Sequence, residues 1–82
     1  MLPDRNNQVR VRANFPGEVE VLVHVGDAIH AGQALVVVEG DKELERLSAR
    51  NAGRVVEVLV RSGQDVAQGA LLVVLEELKP QA

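Results

Sequence analysis

The sequence predicts an all-β domain, a flattened barrel or sandwich of about eight short strands assembled from two similar halves. Three observations predict it. Valine and isoleucine fill 17 of the 82 positions while Phe15 is the only aromatic, which is strand chemistry without stacking platforms. Apolar residues recur with period two, and no segment carries a helical stripe of useful length. The chain also repeats itself: Val21–Glu39 laid over Val58–Glu76 at a constant shift of 37 residues gives nine identical pairs in 19, including Gly26 on Gly63 and Gly32 on Gly69. In so valine-rich a chain, valines match by chance, but two glycines six residues apart do not land by chance on two glycines equally spaced.

Each half reads as strand, turn, short strand, turn, strand. Val19, Val21, Val23 and Val25 alternate with Glu20, Leu22 and His24, and Val56, Val58 and Val60 alternate with Glu57, Leu59 and Arg61, so these valines are expected to face inward. A charge placed there, as in Val21→Asp or Val58→Asp, is expected to unfold the domain. Gly26 and Gly63 end those strands at tight turns, Ile29 and Val66 follow as apolar anchors, and Gly32 and Gly69 turn the chain again. Apolar runs, Ala34–Val38 and Ala70–Leu75, close the halves. The joining segment, Gly40–Ala52, opens with Gly-Asp and continues through Leu44 and Leu47, which predicts a hairpin feeding another strand, with Lys42 at or beside its tip. Neither unit is large enough to bury a face alone, and packing the two about an approximate two-fold buries both. The domain is expected over residues 9–76, with 1–8 a flexible N-terminus and 77–82 a C-terminal tail or the start of a linker.

Composition removes several function classes. A net charge of −3, no basic cluster and a single phenylalanine argue against phosphate-driven nucleic-acid binding or base stacking. Without cysteine there is no disulfide framework, thiolate metal site or cysteine nucleophile. No apolar stretch is long enough for a membrane span, Met1–Asn7 is polar rather than signal-like, and a cytoplasmic location is expected. His24 and His30 flank Asp27 without a further ligand in view, and the alternation puts His24 on the polar face, so no metal is expected. Ser48 and Ser62 have no nucleophile elbow, and the glycines are spaced for turns rather than for a phosphate cradle. Arg46, Arg50, Arg54 and Arg61 are expected to form a solvated basic stripe after the hairpin.

What remains is Val38–Glu45, where Glu39, Asp41, Glu43 and Glu45, four of the twelve carboxylates, surround Lys42. In isolation Gly-Asp-Lys is an ordinary solvated turn. At the junction of two rigid symmetric halves, a lone lysine is placed to present its amine to other proteins. Lys42 is not expected to be a catalyst, because catalytic lysines are desolvated or set beside other cations, whereas the neighbours here are acidic. It reads as an acceptor whose acylation needs a separate enzyme.

These residues resemble the biotinyl/lipoyl attachment domain family over roughly Val9–Glu76. Gly26-Asp27, Gly32, a lysine 16 residues after Gly26, and Ala52-Gly53 placed 10 and 11 residues after that lysine fall where the family has them. The resemblance implies a barrel-sandwich hybrid of two four-stranded antiparallel sheets related by a pseudo-two-fold, with the modified lysine on a hairpin tip opposite the termini. It implies a non-catalytic, monomeric swinging-arm carrier with lipoate attached to Lys42 and Gly40, Asp41 and Glu43 as hairpin context. Glu39, Asp41, Glu43 and Glu45 would contact partners: a lipoate ligase and enzymes of a 2-oxo-acid dehydrogenase complex. Val38-Glu39-Gly40-Asp41-Lys42 is similar to the lipoyl pattern of acyltransferases, Asp41 standing where biotinyl domains carry methionine. Biotin on Lys42, with a biotin ligase and a carboxylase complex as partners, is the alternative, since Asn14-Phe15-Pro16-Gly17 resembles the Met-Pro-Gly start of biotinyl domains. An unmodified interaction module is a further one, because Glu43 replaces the usual small residue and Ser48-Ala49-Arg50 lacks the family's prolines. The shift of 37 carries Lys42 onto Lys79, the only other lysine, on the expected C-terminal tail.

Overall fold

The computed structural model describes residues 7–78, in which every regular element is a strand: β1 (Gln8–Arg12), β2 (Gly17–Val21), β3 (Ala28–Ile29), β4 (Ala34–Glu39), β5 (Leu44–Ser48), β6 (Gly53–Val58), β7 (Asp65–Val66) and β8 (Leu71–Glu77). They form two four-stranded antiparallel sheets, ordered β1-β8-β6-β3 and β5-β4-β2-β7, as the sequence predicts. The expected tails, and Lys79 with them, lie largely outside the described residues. Gln8 and Glu77, at the tails' inner edges, are strand residues, facing Glu76 and Gly53.

The repeat explains the topology. Moving from the first half to the second sends β1 to β5, β2 to β6, β3 to β7 and β4 to β8, which converts one sheet order into the other. Neither half owns a sheet: β1 and β3 from the first half sit with β6 and β8 from the second, and the reverse holds opposite. Between the sheets Leu35, Val36, Val38, Val55, Leu72 and Val73 are wholly buried, and Val19, Ile29 and Leu75 nearly so. Burying each such side chain contributes about 1.5–3 kcal/mol, and among the described residues no polar side chain joins them. Stability therefore resides in a dry, valine- and leucine-filled interior shared equally by the two halves.

Four glycines at symmetric positions turn the chain with positive φ: Gly26 (94°), Gly63 (91°), Gly32 and Gly69 (both 86°). Ordinary side chains rarely adopt that conformation. Asp27 Oδ2 accepts from His24 N–H (2.8 Å), and at the equivalent place Gln64 Oε1 accepts from Arg61 N–H (3.1 Å). Each turn is also pinned to the opposite sheet, Gly26 N–H on Val55 O and Gly63 N–H on Val19 O, both 2.8 Å.

Four expectations are corrected. The strand containing Val19 ends at Val21, because Leu22 to Val25 cross from one sheet to the other before the Gly26 turn; Val25, at the end of the crossing, is 63% exposed. Val21 and Val58 pack against the core but are only half-buried, lining an apolar surface groove of about 340 Å³ with Val23 and Val60. A charge at either can reach water, so aspartate there costs less than at a sealed position. In β6 the buried residue is Val55, not Val56. Val55 faces Leu75 and Glu57 faces the next residue, Val74, leaving Val56 as a one-residue bulge. The repeat shift is therefore 36 before the bulge, where Ala13 matches Ala49 and Gly17 matches Gly53, and 37 after it. Lastly, Arg46 belongs to β5 and Arg54 to β6, in opposite sheets, so the arginines form no single stripe.

Because Leu35 and Leu72 are equivalent and fully buried, Leu35→Ala and Leu72→Ala should each lower unfolding free energy by about 2–5 kcal/mol, while Val25→Ser should change it by less than about 0.5 kcal/mol. Urea denaturation curves measure all three, and a wild-type midpoint for either leucine variant contradicts the assigned core.

Candidate functional site

Strands β4 and β5 form the hairpin that the Gly-Asp pair predicts. Glu39 and Leu44 are its last ladder pair, and Gly40 N–H donates to Glu43 O at 2.7 Å to close the tip. Asp41, Lys42 and Glu43 are exposed at that tip, while Gly40 is half-buried. Among the described residues no ion pair involves Lys42. The hairpin grows from β4, a strand interior to its sheet and anchored by wholly buried Val36 and Val38. An exposed four-carbon side chain thus stands on a base anchored in the core.

The turn between β1 and β2 supports that base, a role the sequence reading did not assign to it. Gly17 opens β2, beside β4 in the same sheet, and a Cβ there would come within 2.5 Å of Glu39 O. At Gly40 a Cβ would meet Pro16 O at 2.9 Å and Phe15 Cδ1 at 3.0 Å. Asn14 Nδ2 donates to Glu45 Oε1 at 2.8 Å. The resemblance of Asn14–Gly17 to biotinyl domains draws attention to this tetrapeptide, but only the fold shows that it touches the hairpin.

The predicted carboxylates separate into two groups. Glu39, Asp41 and Glu43 are exposed around the tip, whereas Glu45 is half-buried and engaged by Asn14, in the same ladder row as inward-facing Val38. In its place the fold brings up two acids that are distant in sequence. Glu18 faces Glu39 across one ladder and Asp65 across the other, producing a row Glu39–Glu18–Asp65 over three adjacent strands. An open surface depression of about 470 Å³ runs along this row, with Pro16, Asp41 and Val66 also on its walls. Like charges directly opposite in a ladder destabilise it by about 0.2–1 kcal/mol, and no ion pair to this row is present among the described residues.

The biotin/lipoyl family model, described as biotin-requiring enzyme, matches residues 9–75. The chain belongs to the biotin/lipoyl attachment family. A similar relative is the dihydrolipoyllysine-residue acetyltransferase component of the pyruvate dehydrogenase complex of Haemophilus influenzae, 46% identical over 57 residues, which are 70% of this chain and 10% of that protein. The biotin carboxyl carrier protein of acetyl-CoA carboxylase from a Nostoc species is 42% identical over 55 residues, 67% of this chain and 30% of that protein. Among solved structures, a single-chain, multi-domain long-chain acyl-CoA carboxylase superposes with a TM-score of 0.81 at 32% identity, covering 98% of this chain and 8% of that one. The chain thus spans about a tenth of the acetyltransferase's length.

Glu18→Gln removes the middle charge of the Glu39–Glu18–Asp65 row. It should stabilise the domain by about 0.5 kcal/mol in dilute buffer, and by less as added salt screens the repulsion. Thermal melts at two salt concentrations measure this; a destabilised variant would mean that the row is compensated.

Proposed function

We propose that this domain is a swinging-arm carrier whose Lys42 Nζ accepts lipoate in amide linkage and presents it to successive active sites of a 2-oxo-acid dehydrogenase complex. The observation that carries this reading is the setting of Lys42: an exposed amine on a closed four-residue tip whose base is a central strand of an interlocked barrel. Such an arrangement suits a ligase that reads hairpin shape and needs an unobstructed nucleophile. The residues fit the group, since the tip is open on its outward side and leaves the attached arm free to enter other proteins.

The chain's contribution is presentation. Lipoate supplies the two sulfurs that carry acyl groups, which a cysteine-free chain cannot provide. The ligase supplies the activated acyl group, and the amide forms as Lys42 Nζ displaces the activating group and loses its protons to the ligase site. Gly40 and the 2.7 Å bond to Glu43 O hold the tip closed, and Asp41 sits beside the acceptor to specify a lipoyl rather than a biotinyl ligase. Glu39, Asp41 and Glu43, joined by Glu18 and Asp65, offer partner enzymes an acidic approach to the arm.

Biotin on Lys42 is the second reading. It is supported by the support turn Asn14–Gly17 under the hairpin and by the superposition on the carboxylase over nearly the whole chain. The domain would then pass a carboxyl group between a carboxylase and a carboxyltransferase.

Co-expression with lipoate ligase and, separately, with biotin ligase, read by intact mass, distinguishes the two. The lipoyl adduct is expected on wild type, absent from Lys42→Arg and retained by Lys79→Arg. A biotin adduct alone transfers the function to the second reading. No adduct from either ligase leaves an unmodified interaction module and overturns both.

A further inference from the structure

The pseudo-two-fold gives the barrel two nearly equivalent ends, and any feature required by the barrel alone is expected at both. Gly17 and Gly53 obey this rule. Each lies so close to the neighbouring central strand, at Glu39 O and at Glu76 O, that a Cβ would collide with its backbone. The buried pairs Ala13/Ala49, Leu35/Leu72 and Val36/Val73 obey it too.

The two residues that precede these glycines do not. Phe15 and Pro16 correspond to Asn51 and Ala52, and Gly40, at the start of the hairpin tip, corresponds to Glu77. At the far end the contact is polar and exposed: Asn51 Nδ2 donates to Glu77 Oε2 at 3.2 Å. At the lysine end the same place holds the chain's only aromatic ring against a glycine, so close that a Cβ on Gly40 would lie 3.0 Å from Cδ1 and 3.2 Å from Cε1 of Phe15. The barrel closes equally well with either arrangement, so the fold does not demand the aromatic one. It occurs only where the chain presents Lys42, two residues beyond Gly40.

We propose that Phe15 is a positioning residue for the acceptor hairpin: its ring, seated on Gly40, fixes the tip in the orientation the modifying ligase reads. This inference rests on the reading of Lys42 as the acceptor. A flat ring restrains the tip without a hydrogen bond that water can replace, and a glycine is the one residue that admits the ring at this distance. Phe15 would act through the backbone of Gly40, against which its ring lies.

The test compares Phe15→Ala, Phe15→Leu and Asn51→Ala with wild type, using lipoate ligase and biotin ligase as the probes. Modification kinetics are followed by intact mass, Gly40 amide exchange by NMR, and stability by thermal melting. With Phe15→Ala, Gly40 exchange should rise roughly tenfold and kcat/KM for modification should fall roughly tenfold through KM, with kcat little changed. Phe15→Leu, which keeps the apolar bulk and the fold, should lie between. Asn51→Ala, the matched change at the far end, should leave modification and Gly40 exchange at wild-type values even if melting shifts. Wild-type kinetics for both Phe15 variants overturn the proposal, as does an equal loss of modification in Asn51→Ala, which would reveal a stability effect. If wild type is not modified by either ligase, the acceptor reading fails. The restraint of Phe15 on the tip is still decided by Gly40 exchange, and unchanged exchange in Phe15→Ala overturns it separately.

Discussion

Everything in this molecule depends on one packing constraint: the interior is sealed only when strands of the two halves are interleaved. Leu35, Val36 and Val38 come from the first half and Leu72, Val73 and Leu75 from the second, and all lose their water together. Since each sheet takes strands from both halves, no sheet can form while either half is unfolded. That coupling lets a chain with one aromatic and no cysteine hold a fixed shape. The dominant favourable term, apolar burial, is gained in one cooperative step rather than strand by strand.

The proposed function follows from where the interlock ends. β4 is pinned on both sides, by β2 and β5, and its buried side chains reach to Val38. Two residues later the tip begins at half-buried Gly40, and exposed Asp41 and Lys42 follow. The transition from immobile to free thus takes about four residues. A carrier needs both properties: a base stiff enough to be recognised and an arm loose enough to travel between sites. The support turn sharpens the boundary, since Gly17 brings β2 against Glu39 and Phe15 closes over Gly40. Against this, the acidic row Glu39–Glu18–Asp65 works against the fold, and under the proposed function it offers partner enzymes an acidic approach to the tip.

Much of this architecture is legible in the sequence because it is written twice. Glycines at equal spacing locate the four turns, and alternating valines locate the strands. A lysine at the junction of the repeats locates the tip. What escapes is what the repeat does not duplicate. The bulge at Val56 changes the shift from 36 to 37, and a constant offset cannot show it. The exposure of Val25 arises because Leu22–Val25 leave one sheet for the other, while alternation of apolar residues continues through the crossing. Phe15 on Gly40, Glu18 beside Asp65, and the capture of Glu45 by Asn14 are contacts between residues far apart in sequence. They depend on strand register, which local pattern does not fix.

The central claim is that the hairpin base belongs to the same cooperative unit as the far side of the barrel. Native-state hydrogen exchange in sub-denaturing urea measures this residue by residue. Amides of β4 up to Glu39 and of β8 should open with one common free energy equal to that of global unfolding, while those of Asp41–Glu43 exchange freely at every concentration. If β4 amides near Glu39 open well before those of β8, the hairpin is an independent flap, and the account of a rigid base carrying a free arm is wrong.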